Sequence, residues 1–396
     1  MRSEFIVAGK EFRDHLTSKR FIVVFAILML LSIIGMVNGM NDYNNNLESY
    51  KKMQAEPWYQ EQIAELQKRI AYLEANGASE DEITEMKYQL EKMINPDMPS
   101  VMYVFNNINQ YFVFIGAVLG ISLGFDLISR EKEEGSLKSL LSHPVFRDSI
   151  LNGKALGAIG MLTAVMASVF FIIVAIMLFY GVVPTGNDFS RIVVYFIIAL
   201  VYCMLFFAVS LMMSTVAKSS AMSILYVLGV VVALFVFGMM SYQVVQIIVG
   251  QPPQPPDGPY PVPIVYESVS SEIKYQEIAP EIPDKVPPLD PDIPPMSDEW
   301  KKYQEDMQKY WDRYNMVSNA IGMVSPMDNF NRISATIINR YGPVYGLMDS
   351  RSMISYQEQT VWDSLVSVWP NLLVIFVEMI IALAVSYVKF LRMDIR

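Results

Sequence analysis

The side chains with chemistry to offer are few and scattered. Cys203 is the only cysteine and lies in an apolar run, and the two histidines, His15 and His143, are far apart. An internal disulfide framework is therefore excluded. A Cys/His metal set is not present either, so no metal is expected. No H-E-x-x-H motif, no G-x-S-x-G nucleophile elbow and no pair of membrane aspartates is read, which leaves an intramembrane enzyme as the weakest reading. The chain also lacks a G-x-x-x-x-G-K-(S/T) phosphate loop, so it is not expected to hydrolyse ATP itself or to carry a cofactor. What remains is electrostatic. One place is the stretch SREKEEGSLKSLLSHPVFRDSILNGK, Ser129–Lys154, dense in charge between two very apolar segments. The other is Glu378, an acid inside an apolar run.

The elements that position these groups are membrane helices. The chain has 396 residues, 53% of them hydrophobic, and the apolar ones collect in runs long enough to cross roughly 30 Å of hydrocarbon. The runs predict an all-α polytopic membrane protein with six spans: Phe21–Met40, Ile108–Ile128, Ala155–Val183, Arg191–Val216, Ala221–Val249 and Leu365–Leu391. The first is too long for the h-region of a signal peptide and no A-x-A-like site follows it, so it reads as a retained anchor. Lys and Arg set the orientation. Arg2, Lys10, Arg13, Lys19 and Arg20, then Arg130, Lys132, Lys138, Arg147 and Lys154, then Lys218, then Lys389, Arg392 and Arg396 all fall on one side of a six-span plan. That side is expected to be the cytoplasm, with both termini inside, in a multi-pass protein of the cell membrane. The net charge of −10 argues against nucleic acid as a partner.

Before the first span, residues 1–20 place Phe5, Phe12 and Leu16 near one helical face, as in an amphipathic helix lying in the inner interface. Two large outer regions follow from the plan, residues 41–107 and 250–364. In the first, Ile63, Leu66, Ile70 and Leu73 recur at helical spacing, NGASEDE breaks the pattern, and Ile83, Met86, Leu90 and Met93 resume it. This predicts an antiparallel helical hairpin, either a packing spacer or a contact for substrate or partner. The second opens with GQPPQPPDGPYPVPIVY, which favours extended polyproline, and later carries Trp300, Tyr303, Met307, Tyr310, Trp311 and Tyr314 at helical spacing. That aromatic stripe could be packed or could bind; the outer methionines read as gap-filling rather than copper ligands.

Inside the membrane, Gly116, Gly120 and Gly124 form a double G-x-x-x-G ridge, and Gly160, Ala164 and Ser168 repeat the spacing in the third span. Small residues let helix backbones approach, within the chain or at a subunit interface or translocation path. An acid at Glu378 must face protein or water. It could bond to another helix, the reading placed first, or line a path for polar substrate, or mark a misplaced span boundary.

In the charged stretch, Glu131, Glu133 and Glu134 precede Gly135 and Ser136, Leu137, Leu140 and Leu141 supply a short apolar face, and Pro144 breaks the helix before FRDSILNGK restarts it. Two short helices at a kink, with mixed charge, suit a protein surface better than lipid. At this point the sequence resembles the ABC-2 type transporter permeases, in which a pattern like E-(R/K)-E-x-G-(S/T)-L-x-x-L-L-x-x-P-x-x-R-x-x-(I/L)-x-x-G-K follows the second span. Glu131, Glu133, Gly135, Ser136, Leu137, Leu140, Leu141, Pro144, Arg147, Ile150, Gly153 and Lys154 occupy the matching positions. KEFRDHLTSKR and SPMDNF (residues 325–330) are similar to that family's N-terminal helix and to a segment before its last span.

The resemblance implies that residues 129–154 are coupling helices docking on a separate cytoplasmic ABC ATPase, which holds ATP and Mg. It implies a working unit with a second permease chain, homo- or heterodimeric, and outward transport. Large outer regions at both positions depart from the compact members. The implied function is the permease subunit of an exporter. The alternative is a mechanotransmission or signalling subunit that uses the same ATPase without passing substrate.

Overall fold

The computed structural model describes residues 3–75, 83, 86–87, 90, 93, 100–136, 146–256, 298–339 and 360–393. No strand occurs among them. The polyproline stretch from residue 257 onward and Leu137, Leu140, Leu141 and Pro144 lie outside the described residues. The helices are α1 (Ser3–Thr17), α2 (Lys19–Ala55), α3 (Pro57–Ala75), α4 (Val104–Gly124), α5 (Ser129–Glu133), α6 (Arg147–Phe179), α7 (Gly186–Val216), α8 (Ser220–Val249), α9 (Asp298–Gly322), α10 (Pro326–Ile338), α11 (Val361–Ser367) and α12 (Trp369–Leu391). Six of them, α2, α4, α6, α7, α8 and α12, are long and apolar enough to cross a membrane. The first runs on without a break from the predicted span to Ala55.

Residues 1–238 and 323–396 form one compact unit and residues 239–322 a second. In the first, α4 and α7 are the most buried spans. Glycine sets their spacing. A Cβ on Gly120 or Gly124 would run into α7, at Cys203 O and Phe207 N for the first and at Ser210 Oγ and Phe207 O for the second. The seam is pinned where the buried Tyr202 hydroxyl donates to Val113 O at 2.7 Å. Gly35 and Gly39 bring α2 onto the backbone of α4 at Ile108 and Val104 in the same way.

α10, which begins in the SPMDNF segment, is capped by Ser325 and starts with Pro326 at its first position, where a missing N–H is harmless. It inserts Phe330 among the spans. The Phe330 ring stacks on Tyr202 at 4.3 Å and meets Phe112 at 5.7 Å. The buried Asn329 accepts from Asn371 Nδ2 at 2.8 Å, tying α10 to the start of α12. Arg191 of α7, wholly buried, donates to Ile337 O at 2.8 Å near the other end of α10. A buried guanidinium facing a helix C-terminus is answered by the carbonyl dipoles there.

The predicted hairpin is represented by α3 and the described positions after it. Tyr59 donates to Met93 O at 2.8 Å and Lys87 pairs with Glu74 at 2.7 Å, a pattern in which the two segments run antiparallel. In the second unit, Trp300 of α9 is buried, Tyr303, Met307, Tyr310 and Tyr314 are half-buried, and Trp311 stays exposed against Tyr310 and Tyr314. Arg313 of α9 donates to Ile248 O at 3.3 Å.

Candidate functional site

The charged stretch sits where the basic ends of the spans converge. After α4 the chain turns through residues 125–128 and forms α5, a helix of five residues. Gly135 ends it. Its φ of +71° is a left-handed conformation that glycine adopts freely, and its N–H returns to Lys132 O at 3.3 Å. Ser136 is exposed and its hydroxyl reaches Glu131 O at 3.4 Å.

Lys154, in the second turn of α6, is 2% exposed. Its Nζ lies 2.5 Å from Glu11 Oε1 on α1 and 2.8 Å from Glu131 Oε1 on α5. A buried ammonium is tolerated only when paired and hydrogen-bonded. Here it joins three elements that are distant in sequence. Glycine makes the approach possible. A Cβ at Gly153 would strike Val7 and Glu4 O, and one at Gly157 would strike Ala8 O and Glu11. The helix α1 therefore has two apolar aspects. One packs on α6 around Val7, Ala8 and Glu11, and the other leaves Phe5 and Leu16 exposed.

Three further charges of the stretch cap helix ends. Lys132 Nζ donates to Thr215 O at 2.6 Å and Ala217 O at 3.0 Å, the open carbonyls where α7 stops. Glu133 accepts from Ser220 N, the first residue of α8, at 3.1 Å. Arg147 donates to Leu391 O at 3.2 Å and Met393 O at 3.0 Å, where α12 stops. Each sign suits the end it meets, cations at C-termini and an anion at an N-terminus. Asp126 adds an ion pair with Arg20 of α2 at 3.2 Å, and the Arg20 guanidinium lies 5.7 Å from the Phe125 ring centre. The segment 126–154 thus touches the end of every other span.

A cleft of about 780 Å³ opens beside this junction, between α1, the start of α2 and residues 122–136. Its walls carry both signs, with Lys10, Lys19, Arg20 and Arg130 facing Asp14, Asp126 and Glu134. His15 also lines it. Burial pushes the His15 imidazole below its ordinary value; Glu11, Asp126 and Asp14 oppose that shift and Lys154 reinforces it. The fold therefore favours the neutral ring, and the unfolded chain takes up the proton first as pH falls. Stability should drop as pH falls below about 6.5, the unfolded-state histidine value. His15→Gln should shrink that drop in thermal midpoints between neutral and mildly acidic buffer. Equal slopes in the two proteins would remove His15 from the account.

Of the positions singled out in the sequence, Glu131, Glu133, Arg147, Gly153 and Lys154 meet at this junction. Gly120 and Gly124 lie elsewhere, on the α4–α7 seam, and Gly116 meets only the Phe112 ring of its own helix. The letters G-x-S-x-G do occur at Gly120–Gly124, but inside α4, where Ser122 Oγ donates to Leu119 O at 2.7 Å rather than standing free on a turn. Glu378 sits on α12 between the buried Ile375 and Ala382, and its Oε2 is buried with no hydrogen-bond partner among the described residues. Sequence reading missed Lys132 as a cap and the pair Gly153–Gly157. The latter has the same small-residue spacing as the ridge picked out one turn later at Gly160.

A family model described as ABC-2 family transporter protein matches residues 5–395. No curated protein matches the chain.

Proposed function

The chain belongs to the ABC-2 transporter family, and we propose that it is the membrane-spanning permease subunit of an ATP-driven exporter, with ATP and Mg held by a separate cytoplasmic ABC ATPase. The observation that carries this reading is the polar junction described above, in which one short charged segment holds the ends of all six spans. A partner pressing on that segment would move the bundle as a set of linked rods rather than one helix at a time. The cluster of Lys and Arg at that end supports a cytoplasmic face for it and for both termini. Leu137, Leu140 and Leu141, between α5 and α6 in sequence, are the apolar residues on which the ATPase would dock.

The test is co-purification in detergent with a co-expressed ABC ATPase subunit that has no membrane part of its own. Leu140→Asp should abolish association while leaving the thermal midpoint of the permease in place. Association that survives this variant would move docking elsewhere, and no association with any such ATPase would defeat the transporter reading. Charge reversal at Glu131 is not a clean alternative, because it would set a second cation against the buried Lys154.

A second permease chain completes the working unit in this reading. The first part of α8 supports it, since Leu225, Leu228, Val232 and Phe235 are all exposed on a helix that is the least buried of the spans. The sole native cysteine, Cys203, is fully buried, so an introduced thiol can be read alone. Leu228→Cys should give a cross-linked dimer under mild oxidation in membranes; a monomer only would place the subunit contact on another helix. The alternative, a subunit that transmits motion without passing substrate, draws on the unbroken run of α2 into the segment before the hairpin.

A further inference from the structure

The junction has two separate outputs, and only one of them involves Lys154. The other runs through α5 to the turn between α7 and α8. There the caps are exchanged between helices. Ser214 Oγ, on the last turns of α7, accepts from Ile128 N and Ser129 N, both at 3.0 Å, at the start of α5. Lys132 of α5 returns to α7, donating to Thr215 O at 2.6 Å, Ala217 O at 3.0 Å and Ser214 O at 3.4 Å. Glu133 accepts from Ser220 N at the start of α8. Three helix ends are therefore satisfied by residues of a neighbouring helix. Lys132 forms no ion pair among the described residues, so its charge is answered by these carbonyl dipoles.

From this geometry we infer that Lys132 is a positioning residue that ties the α7–α8 turn to α5, so that displacement of the coupling segment is delivered to the fourth and fifth spans. Sliding α5 away would uncap α7 and α8 together and leave their terminal groups without partners. The bonds thus hold the turn to α5 through a movement. Lys154 holds α1 and α6 in the same manner but shares no partner with Lys132. The two lysines divide the segment's motion between the third span on one side and the fourth and fifth on the other.

This inference rests on the ATP-driven reading, and the experiment separates the two. The full chain is reconstituted with its ATPase in lipid nanodiscs, and spin-label distances are measured without nucleotide and with ATP plus vanadate. One pair joins Val118 on α4 to Leu225 on α8; the other joins Val118 to Phe171 on α6. All three positions are exposed. Both distances should shift in the parent protein. Lys132→Met should lose the Val118–Leu225 shift and keep the Val118–Phe171 shift, and Lys132→Arg should restore the first. Ser214→Ala, which removes the reciprocal cap, should weaken the same shift in a chain that keeps its lysine. An unchanged Val118–Leu225 shift in Lys132→Met would overturn the inference, as would loss of both shifts together, which would reduce Lys132 to a general structural role. An ATPase that binds without moving either pair also overturns it. Failure of the ATPase to bind at all removes the transporter reading, and this inference with it.

Discussion

Lys154→Met should be the most damaging single substitution at the junction, lowering stability by about 3–5 kcal/mol, the range for breaking a buried ion pair from one side. Methionine fills the space of the lysine stem but leaves the Glu11 and Glu131 carboxylates facing each other at a largely buried position between α1, α5 and α6. Glu131 has little slack, since its Oε2 is already buried with no partner among the described residues. The cost comes from stranded charge rather than lost attraction, so it should be repairable. Adding Glu11→Gln and Glu131→Gln to Lys154→Met should recover most of the loss, because neutral groups are far cheaper to bury. Thermal midpoints of the purified chain, compared across the single and triple variants, decide the point. A single variant as stable as the parent would mean that the cluster is not sealed. A triple variant as weak as the single would mean that packing, not charge, sets the loss.

Gly120→Ala and Gly124→Ala should come next. Their added methyl groups would meet α7 atoms that cannot rotate away. For Gly120 these are Cys203 O and Phe207 N, and for Gly124 they include Phe207 O at 2.8 Å and Leu211 N at 3.0 Å. Forcing a methyl into a closed seam costs about 1–3 kcal/mol or more, and here it would also stretch the Tyr202–Val113 bond. Two comparison glycines share the chain and the spacing. Gly160→Ala would find Phe12 at an ordinary 3.6 Å, whereas Gly116→Ala would press at 2.8 Å on the Phe112 ring, which is itself buried against Phe330. The expected order of midpoints is therefore parent and Gly160→Ala close together, then Gly116→Ala, then Gly120→Ala and Gly124→Ala lowest. Four equal losses would point to glycine's role in helix bending instead of the α4–α7 approach.

Much of this could be read from residue order because bilayers impose strong length and polarity rules. The six apolar runs, the basic connections and the E-K-E-E-G-S pattern all lie on the surface of the sequence. The helix α3 was equally legible, since Ile63, Leu66, Ile70 and Leu73 recur at helical spacing. What the pattern could not show is the direction of the charges. Glu131 and Lys154 read as an exposed face, yet both turn inward, because Gly153 and Gly157 let α1 come close enough to bring Glu11 within reach. Lys132 read as one more cytoplasmic cation; its role as a cap depends on Thr215 and Ala217, more than eighty positions away, and nothing local marks them. Likewise SPMDNF matched a family segment without revealing that Phe330 would enter an aromatic cradle built by Phe112 and Tyr202.

The length of α2 has a consequence of its own. At 1.5 Å per residue its 37 residues make a rod of about 55 Å, well beyond the hydrocarbon thickness. Of its two glycines, Gly39 lies tighter against a neighbour's backbone, where a Cβ would stand 2.7 Å from Val104 O, and that point lies near the middle of the rod. A rigid rod pivoting at that contact would act as a see-saw. Any tilt imposed where Arg20 meets Asp126 reappears at the far tip at nearly full size and with its direction reversed. A 10° tilt carries each tip about 5 Å, in opposite senses. The segment leading into the hairpin would swing outward when the opposite end is drawn in.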